Sequence, residues 1–179
     1  MTDVAERLSK LRTLHLADRG WFNAIWFQLT WFACVLGRDP WLALTLAMIA
    51  LHFALVQSAR TELFNIAPVA AAGIVTDTLL STVGIFDFGD RLVPLWLCLL
   101  WIAFATTLTR SLAILGKRKI IAALIGGIGV PFNYAVGERL GAVSFPLEPT
   151  VTTVVLVSVW AALLPALYHI SSQRIAGAC

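Results

Sequence analysis

Long apolar runs separated by short polar interruptions set the pattern of this chain. Six such runs, at about residues 21–37, 41–59, 63–86, 92–109, 120–137 and 149–172, carry few or no charges. A helix rising 1.5 Å per residue needs roughly 17–25 mainly apolar residues to cross ~30 Å of hydrocarbon. Each run reaches that range. The sequence therefore predicts an all-α, polytopic transmembrane bundle of six helices, forming one membrane domain over residues 21–172. Residues 1–20 read as a cytoplasmic or interfacial segment and residues 173–179 as a short cytoplasmic tail. Within the former, residues 2–19 fit an amphipathic helix. Val4, Leu8, Leu11 and Leu14 fall near one face, and Glu6, Arg7, Lys10 and Arg12 point away from it. Asp3 and Glu6 have capping-box spacing. Such a helix suits the inner interface, as a structural collar or as a docking element for a protein partner.

Composition agrees with this reading. The chain is 59% hydrophobic and 13% charged, against about 45–50% and about 25% for soluble domains. The net charge of +3 reflects topology and gives no nucleic-acid footprint. With alternate loops assigned to alternate sides, Arg7, Lys10, Arg12, Arg19, Arg60, Arg110, Lys117, Arg118, Lys119 and Arg174 share one side, and only Arg38, Arg91 and Arg139 lie on the other. Basic residues in short loops stay cytoplasmic, so both termini are expected in the cytoplasm, with six crossings.

The aromatic residues carry two further signals. Trp21-Phe22, Trp26-Phe27 and Trp31-Phe32 recur every five residues, an advance of about 140° per step, so the pairs spiral around the first span instead of forming a stripe. Trp21, Trp41 and Trp96 lie near span ends, where interfacial tryptophans gather. Trp26/Trp31 in the first span matches Trp96/Trp101 in the fourth, each pair followed by a bulky residue and then Ala33 or Ala103. The two spans cross in opposite directions, which fits a 3+3 inverted repeat of the kind found in transporters.

Asp77 is the only carboxylate well inside a run, 14 residues past Leu63, or about 21 Å along a helix. Gly73, Asp77, Ser81 and Gly84 share one helix face. In the fifth run Gly126, Gly129, Asn133 and Gly137 form a comparable seam. Small residues at this spacing let helices approach closely in lipid. Asp77 and Asn133 are expected at one depth, either where the two helices touch or where both line a cavity, with Pro131 bending the fifth helix nearby. Thr76 and Thr78 are alternative hydrogen-bond partners for Asp77. His52 falls nearest by depth as a titrating partner. Asp77, Asn133, His52 and Ser81 are thus the ligand-binding candidates, and Gly73, Gly84, Gly126, Gly129 and Gly137 the packing seam. Glu138 and Arg139 are candidates for closing an outer opening. Asn23 and Gln28 in the first span, and Thr106, Thr107 and Thr109 in the fourth, are expected to hydrogen-bond between helices.

Chemistry that needs a metal or cofactor is not indicated. Cys34, Cys98 and Cys179 have no ligand spacing. His15, His52 and His169 differ in expected depth, which disfavours two-His haem ligation. Zinc-protease, nucleophile-elbow, phosphate-loop and dinucleotide motifs are all missing.

The strings WFNAIWFQLTWFACVLG, PLWLCLLWIAFATTLTRSL and NYAVGERLGA resemble an uncharacterised proteobacterial inner-membrane family, domain of unknown function 2878. The resemblance runs from Trp21 to about Pro165. It implies a Gly-Pro step ahead of the fifth-span Tyr, where this chain has Gly129-Val130-Pro131. It also implies a gene neighbourhood of cyclopropane-fatty-acid-synthase-like and flavin oxidoreductase genes, and hence a link to membrane-lipid modification, but it carries no catalytic residue. The first expectation is a non-enzymatic membrane protein that binds or moves a small or lipidic molecule at the Asp77/Asn133 region. The second is a scaffold docking lipid-modifying enzymes through the N-terminal helix and the basic loop around residues 110–119. The third is an integral lipid-modifying enzyme using Asp77 or Glu138 as acid or base.

Overall fold

The computed structural model describes residues 16–176, with side chains as far as Gln173. Most of the amphipathic segment at 2–19 lies outside the described residues; Leu16–Asp18 forms one 3-10 turn. Six helices follow: α1 Gly20–Phe32, α2 Leu42–Leu55, α3 Ala59–Thr82, α4 Leu95–Thr107, α5 Lys119–Arg139 and α6 Pro149–Ala176. Three stretches, Ala59–Thr82, Lys119–Arg139 and Pro149–Gln173, are long and apolar enough to cross a membrane. The other three helices are 13 or 14 residues long, about 20 Å of helix. α1 gains length by running directly into a π-helical turn, Ala33–Gly37, and a 3-10 turn, Asp39–Trp41, leads into α2.

Local chemistry moves the element boundaries away from the apolar runs. α3 starts four residues before its run because Ser58 caps it, accepting the Thr61 N–H at 3.3 Å. Arg60 and Glu62 are therefore helical rather than loop residues. α3 and α5 end in the same way. Gly84 and Gly141 take left-handed φ values of 80° and 72°. Behind them, Ile85 N–H reaches the Leu80 carbonyl and Ala142 N–H the Gly137 carbonyl, both six-to-one Schellman closures. Gly84 is thus a helix terminator and not a member of the packing seam, since a Cβ there would meet open space. Beyond the caps the chain segments pair in a single antiparallel bridge, in which Asp87 and Ser144 exchange N–H···O bonds of 2.9 Å.

α4 sits at the centre, packed on α1, α2 and α3, while α5 and α6 form a close hairpin and α6 also packs on α3. Glycine sets the closest approaches. A methyl group at Gly73 would overlap the Trp101 indole, so α3 offers a flat seat to α4. On α5, a Cβ at Gly126 would overlap the Trp160 carbonyl, and one at Gly127 would lie 3.2 Å from the Ala161 Cβ. Of the predicted fifth-run seam, Gly126 therefore packs on α6 and not on the third run. Ile120, Leu124, Ile128 and Phe132, one face of α5, are 58–79% exposed. An outward stripe of that size matches a hydrocarbon solvent rather than water.

Candidate functional site

Asp77, fully buried, anchors the centre of the bundle. Its Oδ2 accepts the Trp101 indole N–H at 2.7 Å. The Tyr134 hydroxyl donates to the same carboxylate, 2.7 Å from Oδ1 and 2.8 Å from Oδ2. Three helices thus meet on one acidic group, which answers the cost of burying it. Trp101 stacks on Trp160 with centroids 5.4 Å apart and planes at 8°. Tyr134 stacks on Phe86 at 4.7 Å and 19°.

Trp101, Tyr134 and Trp160 also form one wall of an apolar chamber of about 240 Å³, with Phe27, Trp31, Leu100, Phe104 and Val130 among the remaining lining. For comparison, an engineered apolar cavity of roughly 150 Å³ takes benzene. Asp77 itself does not line the chamber; it fixes two side chains that do. Trp160 is 2% exposed and its indole Nε1 has no hydrogen-bond partner. Ile125 and Asn133, also in the lining, are exposed, so the chamber reaches the lateral surface beside α5.

Above the chamber lies a polar bowl of about 610 Å³ bordered by Arg38, Asp39, Asp87, Asp90 and Arg91. The two spaces share Phe88, Trp96, Ala142 and Val143 as walls. Arg38 is the only non-glycine residue with positive φ among the described residues, at 48°. Its Nη1 donates to the Gly141 carbonyl at 2.6 Å. Arg91 is paired with Asp39 at 3.1 Å.

A second polar cluster closes the opposite end. Arg110 binds both carboxylate oxygens of Glu62, at 2.8 and 2.9 Å, and reaches Asp18 at 3.2 Å. His52 Nε2 lies 3.0 Å from Glu62 and its ring stacks on Trp26 at 4.7 Å. Burial works against the Arg110 charge, but Glu62 and then Asp18 outweigh it and raise the guanidinium above its ordinary value. Beside it Asn23 donates to Thr106 at 2.9 Å and accepts from the Ser111 hydroxyl at 2.7 Å, joining α1 to α4, whereas Thr107 and Thr109 donate to nearby carbonyls of their own segment, at Phe104 and Thr106.

Apart from Asp18, the residues that build the chamber and both polar ends fall within one match. The family described as "Protein of unknown function (DUF2878)" matches residues 20–166. The chain belongs to that family. No curated protein and no solved structure matches it. The family thus supplies no activity, and the geometry has to carry the functional reading.

The fate of each sequence candidate follows from this geometry. Asp77 is buried at a three-helix junction, but its partners are Trp101 and Tyr134. Asn133 is exposed and donates to the Gly129 carbonyl of its own helix at 2.8 Å. Thr76 and Thr78 likewise donate to their own helix, at Ala72 and Ile74. Asn133 and Tyr134 are neighbours on a helix, and a rotation of about 100° between them decides which one faces Asp77. His52 belongs to the Glu62 cluster and not to Asp77. Ser81 is half-buried and makes no side-chain hydrogen bond among the described residues. Gly129 and Gly137 line the chamber, whereas Gly126 serves the α5–α6 contact. Glu138 and Arg139 are both exposed and do not pair with each other; Arg38 closes on Gly141 at that end instead. Trp21 and Trp41 are exposed as interfacial tryptophans should be, but Trp96 is 5% exposed and walls the chamber. Sequence reading missed Glu62, Arg110 and Tyr134 as functional groups. The first two looked like loop-end charges, and the third was eclipsed by the more polar Asn133.

Proposed function

We propose that this protein is a multi-pass protein of the bacterial inner membrane, with both termini cytoplasmic, that binds a lipidic molecule inside its bundle. The observation that carries this reading is the aromatic-walled apolar chamber, held in shape by the hydrogen bonds of Asp77 to Trp101 and Tyr134 and open beside α5. A preformed cavity of this size, lined mainly by apolar side chains at a hydrocarbon-facing surface, favours an apolar chain as occupant. The orientation is supported by the charges. Arg19, Arg60, Arg110, Lys117, Arg118 and Lys119 fall at inter-helix segments or helix ends of one polarity, and Arg38, Arg91 and Arg139 at those of the other. All six helices then cross the membrane, α1 extended by its π turn and α2 by its 3-10 turn. The role is binding or movement rather than catalysis, because the two buried acids, Asp77 and Glu62, are each held by two or more partners and neither lines the chamber. A link to membrane-lipid modification, as a partner for the enzymes concerned, fits an occupant of this kind.

Gly129 supplies the test. It lines the chamber, and a Cβ there meets only the Ile125 Cγ2, at 3.9 Å. A leucine at this position fills the space without a backbone clash and improves helix propensity by about 1 kcal/mol. Purified protein is delipidated with mild detergent, and the retained lipid is measured by mass spectrometry. Wild type is expected to retain a lipid in fixed ratio to protein, and Gly129→Leu to lose it at unchanged or higher thermal stability. Equal retention by a folded Gly129→Leu protein overturns the reading.

A further inference from the structure

The polar bowl and the apolar chamber are stacked, share walls at Phe88, Trp96, Ala142 and Val143, and differ sharply in character. Charged side chains ring one, and aromatic rings line the other. That division matches an amphiphile with its head in the bowl and its chain in the chamber.

The charges of the bowl narrow the head group. Arg91 and Asp39 neutralise each other at 3.1 Å. What remains is Arg38 on one side and Asp87 and Asp90 on the other. Among the described residues Arg38 has no carboxylate partner. It is held at a positive φ that residues other than glycine rarely adopt, and one of its five N–H donors is spent on the Gly141 carbonyl. Strain of this kind persists where the surroundings impose it, often at sites that hold a ligand. The pinned guanidinium keeps its other donors for an anion, and phosphate is the group its planar fork fits best. Asp87 spends Oδ1 on the Gly89 N–H at 2.8 Å, leaving its second oxygen and the whole Asp90 carboxylate for a cation. A purely anionic head would satisfy Arg38 but face two carboxylates. A head carrying both a phosphate and an ammonium meets both signs.

We infer that the stacked bowl and chamber form a single site for a zwitterionic phospholipid, its phosphate on Arg38, its ammonium toward Asp87 and Asp90, and one acyl chain among Trp31, Trp101 and Trp160. This inference rests on the lipid-binding reading above and adds the head-group class to it.

Tryptophan quenching by lipids brominated on the acyl chain tests it. The full chain carries Trp21→Phe and Trp41→Phe, which removes the two exposed indoles. In detergent micelles it is titrated with brominated phosphatidylethanolamine, brominated phosphatidylglycerol and brominated fatty acid. The zwitterionic lipid is expected to reach half-maximal quenching at a several-fold lower concentration than the anionic one. Asp90→Asn combined with Asp87→Asn is expected to erase that preference while quenching persists, and Arg38→Gln to weaken both phospholipids relative to the fatty acid. Arg38→Gly, which relieves the backbone strain, serves if the Gln variant is unstable, and the same weakening is expected of it. Equal quenching by both phospholipids in wild type, or a preference untouched by the double Asn variant, overturns the head-group assignment and leaves the chamber reading intact. Quenching by all three lipids that survives Gly129→Leu undoes the chamber reading itself.

Discussion

Glu62 and Arg110 illustrate how much a single side chain carries in this molecule. Their two-point contact is buried, with His52 and Asp18 completing the ring of partners. Removing Glu62 leaves the buried Arg110 with only the half-exposed Asp18 as counter-charge, a loss that approaches the ~3–5 kcal/mol of a broken buried pair. Glu62→Gln is therefore expected to lower the melting temperature sharply, while the double change Glu62→Gln with Arg110→Met restores much of it; thermal denaturation in detergent reads both. At Asp77 the expectation differs. Asp77→Asn keeps one acceptor oxygen but replaces the other with an N–H donor facing Trp101 or Tyr134. It should loosen the aromatic wall, reduce lipid retention and cost about 1–3 kcal/mol, with insertion preserved. Gly73→Ala places a methyl group in the Trp101 indole and is expected to cost about 1–3 kcal/mol by overpacking, seen as a lower melting point together with altered near-UV circular dichroism. The sequence made the Gly73/Asp77 face readable, because four-residue spacing is a property of one helix. Its partners were not readable, because helix rise fixes depth but not rotation, and that rotation separates Tyr134 from Asn133.

Among the helices, the apolar runs located every one of the six, since hydrophobic length is a property of the segment alone. The ends moved where polar chemistry intervened: Ser58 pulled α3 forward, and the caps at Gly84 and Gly141 fixed where α3 and α5 stop. Each cap needs positive φ, so Gly141→Ala is expected to destabilise α5 by about 1 kcal/mol, with a larger loss of exchange protection in Ser144 than in α1. The paired caps also bear on symmetry. Asp87 bridges Ser144, and Asp77 binds Tyr134 across the same 57-residue offset; Trp101 stacks on Trp160 at nearly that offset. Equivalent positions meeting each other is the signature of a two-fold relation, here between the α3–α4 and α5–α6 hairpins. These two hairpins start on the same side, so the relation is a parallel one, distinct from the 3+3 inverted match of the Trp-x4-Trp strings.

Taken whole, the molecule is a bundle with a polar knot at each end and a hydrocarbon-sized space between. The knot at Arg110 ties α2, α3 and the segment after α4 to the chain ahead of α1; the Arg38 end is open as a bowl over the chamber. Composition alone placed the chain in a membrane. The chamber was legible only as a suspicion, because a cavity arises from how six helices rotate and tilt together, which no single run encodes. Its occupancy is the claim on which the functional account turns. The most direct measurement is a structure of the protein in nanodiscs containing phospholipid brominated on its acyl chains. The account predicts bromine density between Trp31, Trp101 and Trp160, continuous with a head group beside Arg38. A chamber that is empty or filled by collapsed side chains, with bromine confined to the annulus outside α5, would contradict it.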